Sequence, residues 1–192
     1  MTIDPPPRND NGFLQMIVKW LPPDDPWLKL NIVGEYNAES GLASGGGILR
    51  DHLGCLKLAI CFPLRATSIF EAELMTILHG LQEVQSYNRP IVIESSVPLL
   101  IALINAKELG PAHSRVPMAR LILAQRQTQS CFSFIQREGN KAACLMAKRG
   151  VDLAFTEKFD AISAPRLLRA MIRLEQMGTP NIRTADPEEY VF

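Results

Sequence analysis

Trp27-Leu28-Lys29-Leu30-Asn31-Ile32-Val33-Gly34, followed by Ser44-Gly45-Gly46-Gly47-Ile48-Leu49-Arg50-Asp51, is the pair of segments on which the fold turns. The first segment, from Trp27 to Val33, reads as a strand. The second opens on glycines and ends in Asp51-His52-Leu53-Gly54, a turn, before a third strand from Cys55 to Phe62. Three short strands joined by turns predict an antiparallel meander. Ser68 then offers an N-cap with Glu71 three residues on, and Phe70, Leu74, Ile77, Leu78 and Leu81 recur at helical period. Ile91-Val92-Ile93-Glu94 is a short run suited to a central parallel strand. Helices follow over about 97–107 and 116–127, then a strand at Cys131–Ile135 and a helix over about 140–148.

The order β-β-β-α-β-α-α-β-α predicts an α/β fold. Its mixed sheet has five strands, three antiparallel and then two parallel, with helices on both faces. Residues 1–19 read as an irregular N-terminal segment rich in proline, residues 20–155 as the domain, and residues 156–192 as a tail. One amphipathic helix in that tail carries Leu167, Leu168, Met171 and Ile172.

Composition excludes several classes. The 192 residues hold 20 Lys and Arg against 20 Asp and Glu, so no global field draws the chain to nucleic acid or a membrane. Any polyanion contact must be local, and from Arg137 to Arg173 eight basic residues stand against four acidic ones. Cys55, Cys61, Cys131 and Cys144 make no C-x-x-C pair and read as reduced thiols. His52, His79 and His113 are scattered without matching ligands. The segment from Met1 to Gly12 has neither the apolar run of a signal peptide nor an Arg-rich transit pattern. No stretch has the length of a membrane span, so a nuclear or cytoplasmic setting is expected.

Five motifs in order resemble the ribonuclease H type-1-like domains that non-LTR retroelements, with their reverse transcriptases, left in plant genomes. Trp27 to Gly34 is similar to W-x-K-L-N-x-D-G, and Ser44 to Asp51 to G-G-G-x-x-R-D. Glu71-Ala72-Glu73-Leu74 matches the A-E of the first helix, and Ile91 to Ser96 resembles V-x-V-E-S-D. Arg137 to Leu145 resembles R-E-x-N-x-x-A-D-x-L, and Leu167 to Arg183 the family trailer. The resemblance implies a ribonuclease H-like fold and cleavage of the RNA strand of RNA/DNA hybrids with two Mg²⁺. The four metal-binding acids fall on Val33, Glu73, Ser96 and Cys144, and the family histidine on Phe134. Only Glu73 is an acid. Val33 has no lone pair, Ser96 is a weak neutral ligand, and Cys144 is soft and mostly protonated.

The expectation is a degenerate domain, a pseudoenzyme with no cofactor. Glu73 is left as an idle relic of the metal site, and RNA or RNA/DNA hybrid is bound weakly. Gly45, Gly46, Arg137, Asn140 and Lys141 are the candidate contacts, with the glycines allowing close approach of a nucleic-acid backbone, and Lys148 and Arg149 lie beside the last motif. Two alternatives remain open. One is a protein-interaction module on the same scaffold. The other is residual hybrid cleavage by displaced acids, Glu35 and Glu94 joining Glu73.

Overall fold

Alternation along Leu28–Tyr36 places Leu28, Leu30 and Ile32 on one face of the sheet and Asn31 and Val33 on the other, and each face meets its own helices. The computed structural model describes residues 14–185. In chain order its elements are β1 (Leu14–Val18), β2 (Leu28–Tyr36), β3 (Ala43–Arg50), β4 (Leu56–Leu64), α1 (Ile69–Val84), β5 (Ile91–Ser95), α2 (Pro98–Ala106), α3 (Arg115–Gln127), β6 (Ser130–Phe134), α4 (Lys141–Gly150), β7 (Glu157–Phe159), α5 (Arg166–Gln176) and β8 (Asn181–Ala185).

The main sheet runs β6-β5-β2-β3-β4-β7. β2, β3 and β4 are antiparallel, and β5 and β6 lie parallel beside β2, which is the expected mixed architecture. A sixth strand corrects the count of five: β7 pairs antiparallel with β4. Its three residues are too few to show a period in sequence.

On one face Leu74, Ile77 and Leu81 of α1 share a core with Leu28, Leu30, Ile32 and Ile93. On the other, Ala143 and Met146 of α4 meet Val33, Ile48 and Ala59, joined by Leu168 and Ile172 of α5. The tail segment thus supplies an edge strand and part of the second core. The amphipathic helix of the tail spends its strongest apolar face on its own domain. The expected irregular stretch also ends in structure: β1 pairs antiparallel with β8, joining the first and last strands of the described residues. Residues 1–13 lie outside the described residues.

Ser68 caps α1 as expected, its Oγ accepting the Glu71 N–H at 3.2 Å. The reciprocal half of a capping box is not made. The Glu71 carboxylate takes the N–H and hydroxyl of Thr67 instead, at 2.8 and 2.7 Å. Among the described residues no helix is long and apolar enough to cross a membrane.

Candidate functional site

At the ends of β2 and β5, the first turns of α1 and α4 close on the sheet. Gly34 lets α1 come this near: a Cβ there would lie 2.6 Å from the Ala72 carbonyl oxygen. Glu73, 1% exposed, projects into the gap. Its Oε2 accepts the Gly34 N–H and its Oε1 accepts the Ser95 hydroxyl. Ser95 is held in turn by the Val97 N–H, 3.1 Å from its Oγ. Glu73, expected as an idle relic of a metal site, has a structural place here: its hydrogen bonds tie β2, α1 and β5 together. Ser95 meets it rather than Ser96, which lies past the end of β5 and is half-buried.

Val33 turns to the other face and is buried among Ala142, Ala143 and Met146. The half-buried Cys144 packs against the same cluster from α4. The fold thus brings the four predicted positions to one end of the sheet, where one carboxyl stands with a valine, a hydroxyl and a thiol at positions for which the resemblance implies four acids.

The electrostatics follow from burial. Desolvation pushes the Glu73 carboxyl up to about 7. The hydrogen bonds from Ser95 and Gly34 oppose that rise, the negative charge of Glu35 adds to it, and the positive charge of Arg137 offsets part of it. Burial also raises the Cys144 thiol, against the pull of Arg137, so it stays protonated at neutral pH. Glu35 does not turn to Glu73. It takes the Arg137 guanidinium at 2.6 Å, a partly exposed pair at the mouth of the site.

Two close Mg²⁺ ions need several hard carboxylates. Among the described residues no group of three or more His, Cys, Asp or Glu side chains is placed to hold a metal ion. The only buried carboxylate here has both oxygens engaged. The residues present do not fit the family's metal pair.

Glu94 cannot rebuild the cluster. It faces away from Glu73 and pairs with Lys29 at 2.7 Å and with Asn31 Nδ2 at 2.9 Å. Adjacent strand residues point to opposite faces, so Ser95 toward Glu73 requires Glu94 to point away. The residues around Glu94 form a buried polar hub. Asn31 Oδ1 accepts from Trp20 Nε1 at 2.8 Å and from Arg50 at 2.6 Å, Lys29 also donates to the Leu21 carbonyl at 2.7 Å, and Arg50 pairs with Glu175 of α5. The Arg50 guanidinium stacks 3.5 Å from the Trp20 ring centroid. The motif residues Lys29, Asn31, Arg50 and Glu94 thus anchor the tail helix to the sheet. Their shared face was legible in the two-residue spacing of Lys29 and Asn31; the partner 125 residues away was not.

Three of the five candidate nucleic-acid contacts lie inside the protein. Gly45 is packed between helix and sheet, where a Cβ would meet Phe62 and the Thr76 hydroxyl at 2.5 Å. At Gly46 a Cβ would strike the α4 backbone, 2.7 Å from the Ala143 carbonyl oxygen. Both glycines admit a helix, not a bound strand. Asn140, 1% exposed, donates to the Ile32 carbonyl at 2.8 Å. It fixes the start of α4 and has no reach to a ligand's backbone. Arg137 and Lys141 are exposed, as is Phe134 at 44% on the end of β6. Lys148 lines a cleft of about 370 Å³ with Glu35, Tyr36 and Ser40. Arg149 is paired with Glu157 at 2.8 Å.

Comparison with known proteins agrees with this architecture. A model of the reverse transcriptase-like family matches residues 31–150. A curated Arabidopsis thaliana protein carrying a ribonuclease H name is 24% identical over 174 residues, 88% of this chain; the chain spans 28% of that protein's length. Among solved structures, a ribonuclease H1 from a compost metagenome superposes with a TM-score of 0.61 at 15% identity, covering 65% of this chain and 95% of that one. Ribonuclease H1 of the archaeon Halobacterium salinarum gives 0.60 at 14%, covering 66% and 98%. The compost enzyme has also been solved in complex with an RNA/DNA hybrid. The prototype foamy virus protease-reverse transcriptase gives 0.55 at 11%, over 71% of this chain and 23% of that one. With its mixed sheet, helices on both faces and a family match over most of the domain, the chain belongs to the reverse transcriptase-like family and has the ribonuclease H fold.

Proposed function

We propose that this protein is a ribonuclease H-like domain without nuclease activity that holds RNA or RNA/DNA hybrid weakly. One observation carries the first half. At the four positions where the family places acids, the sole acid, Glu73, is buried, bonded through both oxygens and raised to about 7. Without several ionised carboxylates, no ion pair is gathered to activate water and steady the leaving oxygen. Binding is supported by the ancestral shape and by Arg137 and Lys141, which remain exposed beside the site. An A-form duplex is recognised through shape and 2′-hydroxyls, so little sequence preference is expected.

The test is a cleavage assay on a labelled RNA/DNA hybrid with Mn²⁺, beside a variant carrying Val33→Asp, Ser96→Asp and Cys144→Asp. The expected result is a silent parent and a cutting variant. Cleavage by the parent, lost on Glu73→Gln, would overturn the proposal.

A further inference from the structure

We infer that α5 carries a second nucleic-acid surface, outside the segment matched by the family model: a ridge formed by Arg166, Arg169 and Arg173 that grips the sugar–phosphate backbone. The inference rests on the binding half of the proposed function and extends it to a different face.

The three arginines fall at i, i+3 and i+7, within roughly 60° of one another around the helix at 3.6 residues per turn. All three are exposed, and none makes an ion pair among the described residues. The sole acid of the helix, Glu175, is buried and taken by Arg50, so the helix supplies no countercharge to its own outer face. Arg169 and Arg173, one turn apart, repel each other, a cost that a bound anion would remove. They line a cleft of about 430 Å³ with Leu56, Ile172 and Gln176, so two guanidinium forks flank one recess. Guanidinium groups of this kind suit phosphate oxygens. The ridge is also rigidly mounted, because Leu168 and Ile172 lie in the core and Glu175 in the polar hub.

A phospholipid surface fits less well. It requires apolar side chains that insert on the same side as the cations. The strongest apolar face of α5 is already buried. The exposed Leu167 and Leu174 stand about a third of a turn around the helix from the arginines, and among the exposed large apolar side chains of the helix and its C-cap only Met177, at that C-cap, shares their side.

The experiment measures binding of the full chain to a short RNA/DNA hybrid and to single-stranded RNA across a salt series. Each phosphate contact contributes about 0.7 to 0.9 to the slope of log K against log salt. The variant Arg166→Gln, Arg169→Gln, Arg173→Gln is expected to flatten that slope by about 2 to 3. The corresponding triple lysine variant keeps the charge and should restore most of it. A parallel Arg137→Gln, Lys141→Gln variant reports on the ancestral site. An unchanged slope in the triple glutamine variant, with loss in the Arg137 and Lys141 variant, overturns the ridge and leaves the site reading standing. The reverse pattern upholds the ridge and overturns binding at the site. No affinity of the parent at low salt overturns both. Arginine-dependent binding to phosphatidylserine vesicles without binding to either nucleic acid overturns the ridge in favour of a membrane.

Discussion

Glu73→Gln should change how stability depends on pH. The carboxyl is raised from 4.5 to about 7 in the folded protein, chiefly by burial. Below pH 4.5 it is protonated in both states and carries no penalty. Between 4.5 and about 7 the unfolded chain releases the proton while the folded one keeps it, so stability falls as pH rises. Above 7 both states are ionised and the penalty is complete. At 1.36 kcal/mol per pH unit the total is about 3 kcal/mol, most of which develops between pH 5 and pH 8. Glutamine is isosteric and neutral. Its carbonyl can accept the Gly34 N–H and its amide can donate to Ser95 Oγ, leaving the serine hydroxyl proton without its acceptor, at about 1 kcal/mol. The variant should therefore match the parent near pH 5 and exceed it by about 2 kcal/mol at pH 8. Urea unfolding of both proteins at the two pH values reads this directly. A parent–variant difference that does not move with pH would refute a buried carboxyl with a raised pKa.

Removing one member of the buried pair, by Arg50→Met or Glu175→Leu, should cost about 3 to 5 kcal/mol, and the double variant less than the sum, because a lone buried charge is worse than none; denaturant midpoints in a double-mutant cycle check it. Gly46→Ala should destabilise by about 1 to 3 kcal/mol or more, as its Cβ would strike the α4 backbone, and a fall in Tm would show it. Cys144, half-buried with its thiol raised, should be alkylated by iodoacetamide at pH 7 far more slowly than the exposed Cys55, which mass mapping over time would reveal.

The sequence exposed those features whose cause is local. The Trp27 to Val33 segment read as the strand β2, the Ser68 cap gave the start of α1, and the short apolar run gave β5 as a central parallel strand. The four positions assigned to metal-binding acids rest on the family resemblance alone, and the fold brings them to one end of the sheet. The features missed depend on partners distant in the chain. β1 pairs with β8 across most of the molecule, and β7 needs β4 to exist as a strand. The glycines of β3 look from sequence like a cradle for a ligand. Only the approach of α1 and α4 shows that they make room for helices. Ser95 and Ser96 are chemically alike, and strand phase alone decides which reaches Glu73. Glu94 fails as a substitute acid for the same reason, its neighbour having taken the inward direction.

The most direct measurement of the central claim is a calorimetric titration of the parent with Mn²⁺, beside the Val33→Asp, Ser96→Asp, Cys144→Asp variant. The account predicts no specific heat for the parent and clear binding by the variant. Saturable binding of two ions by the parent, abolished by Glu73→Gln, would contradict it.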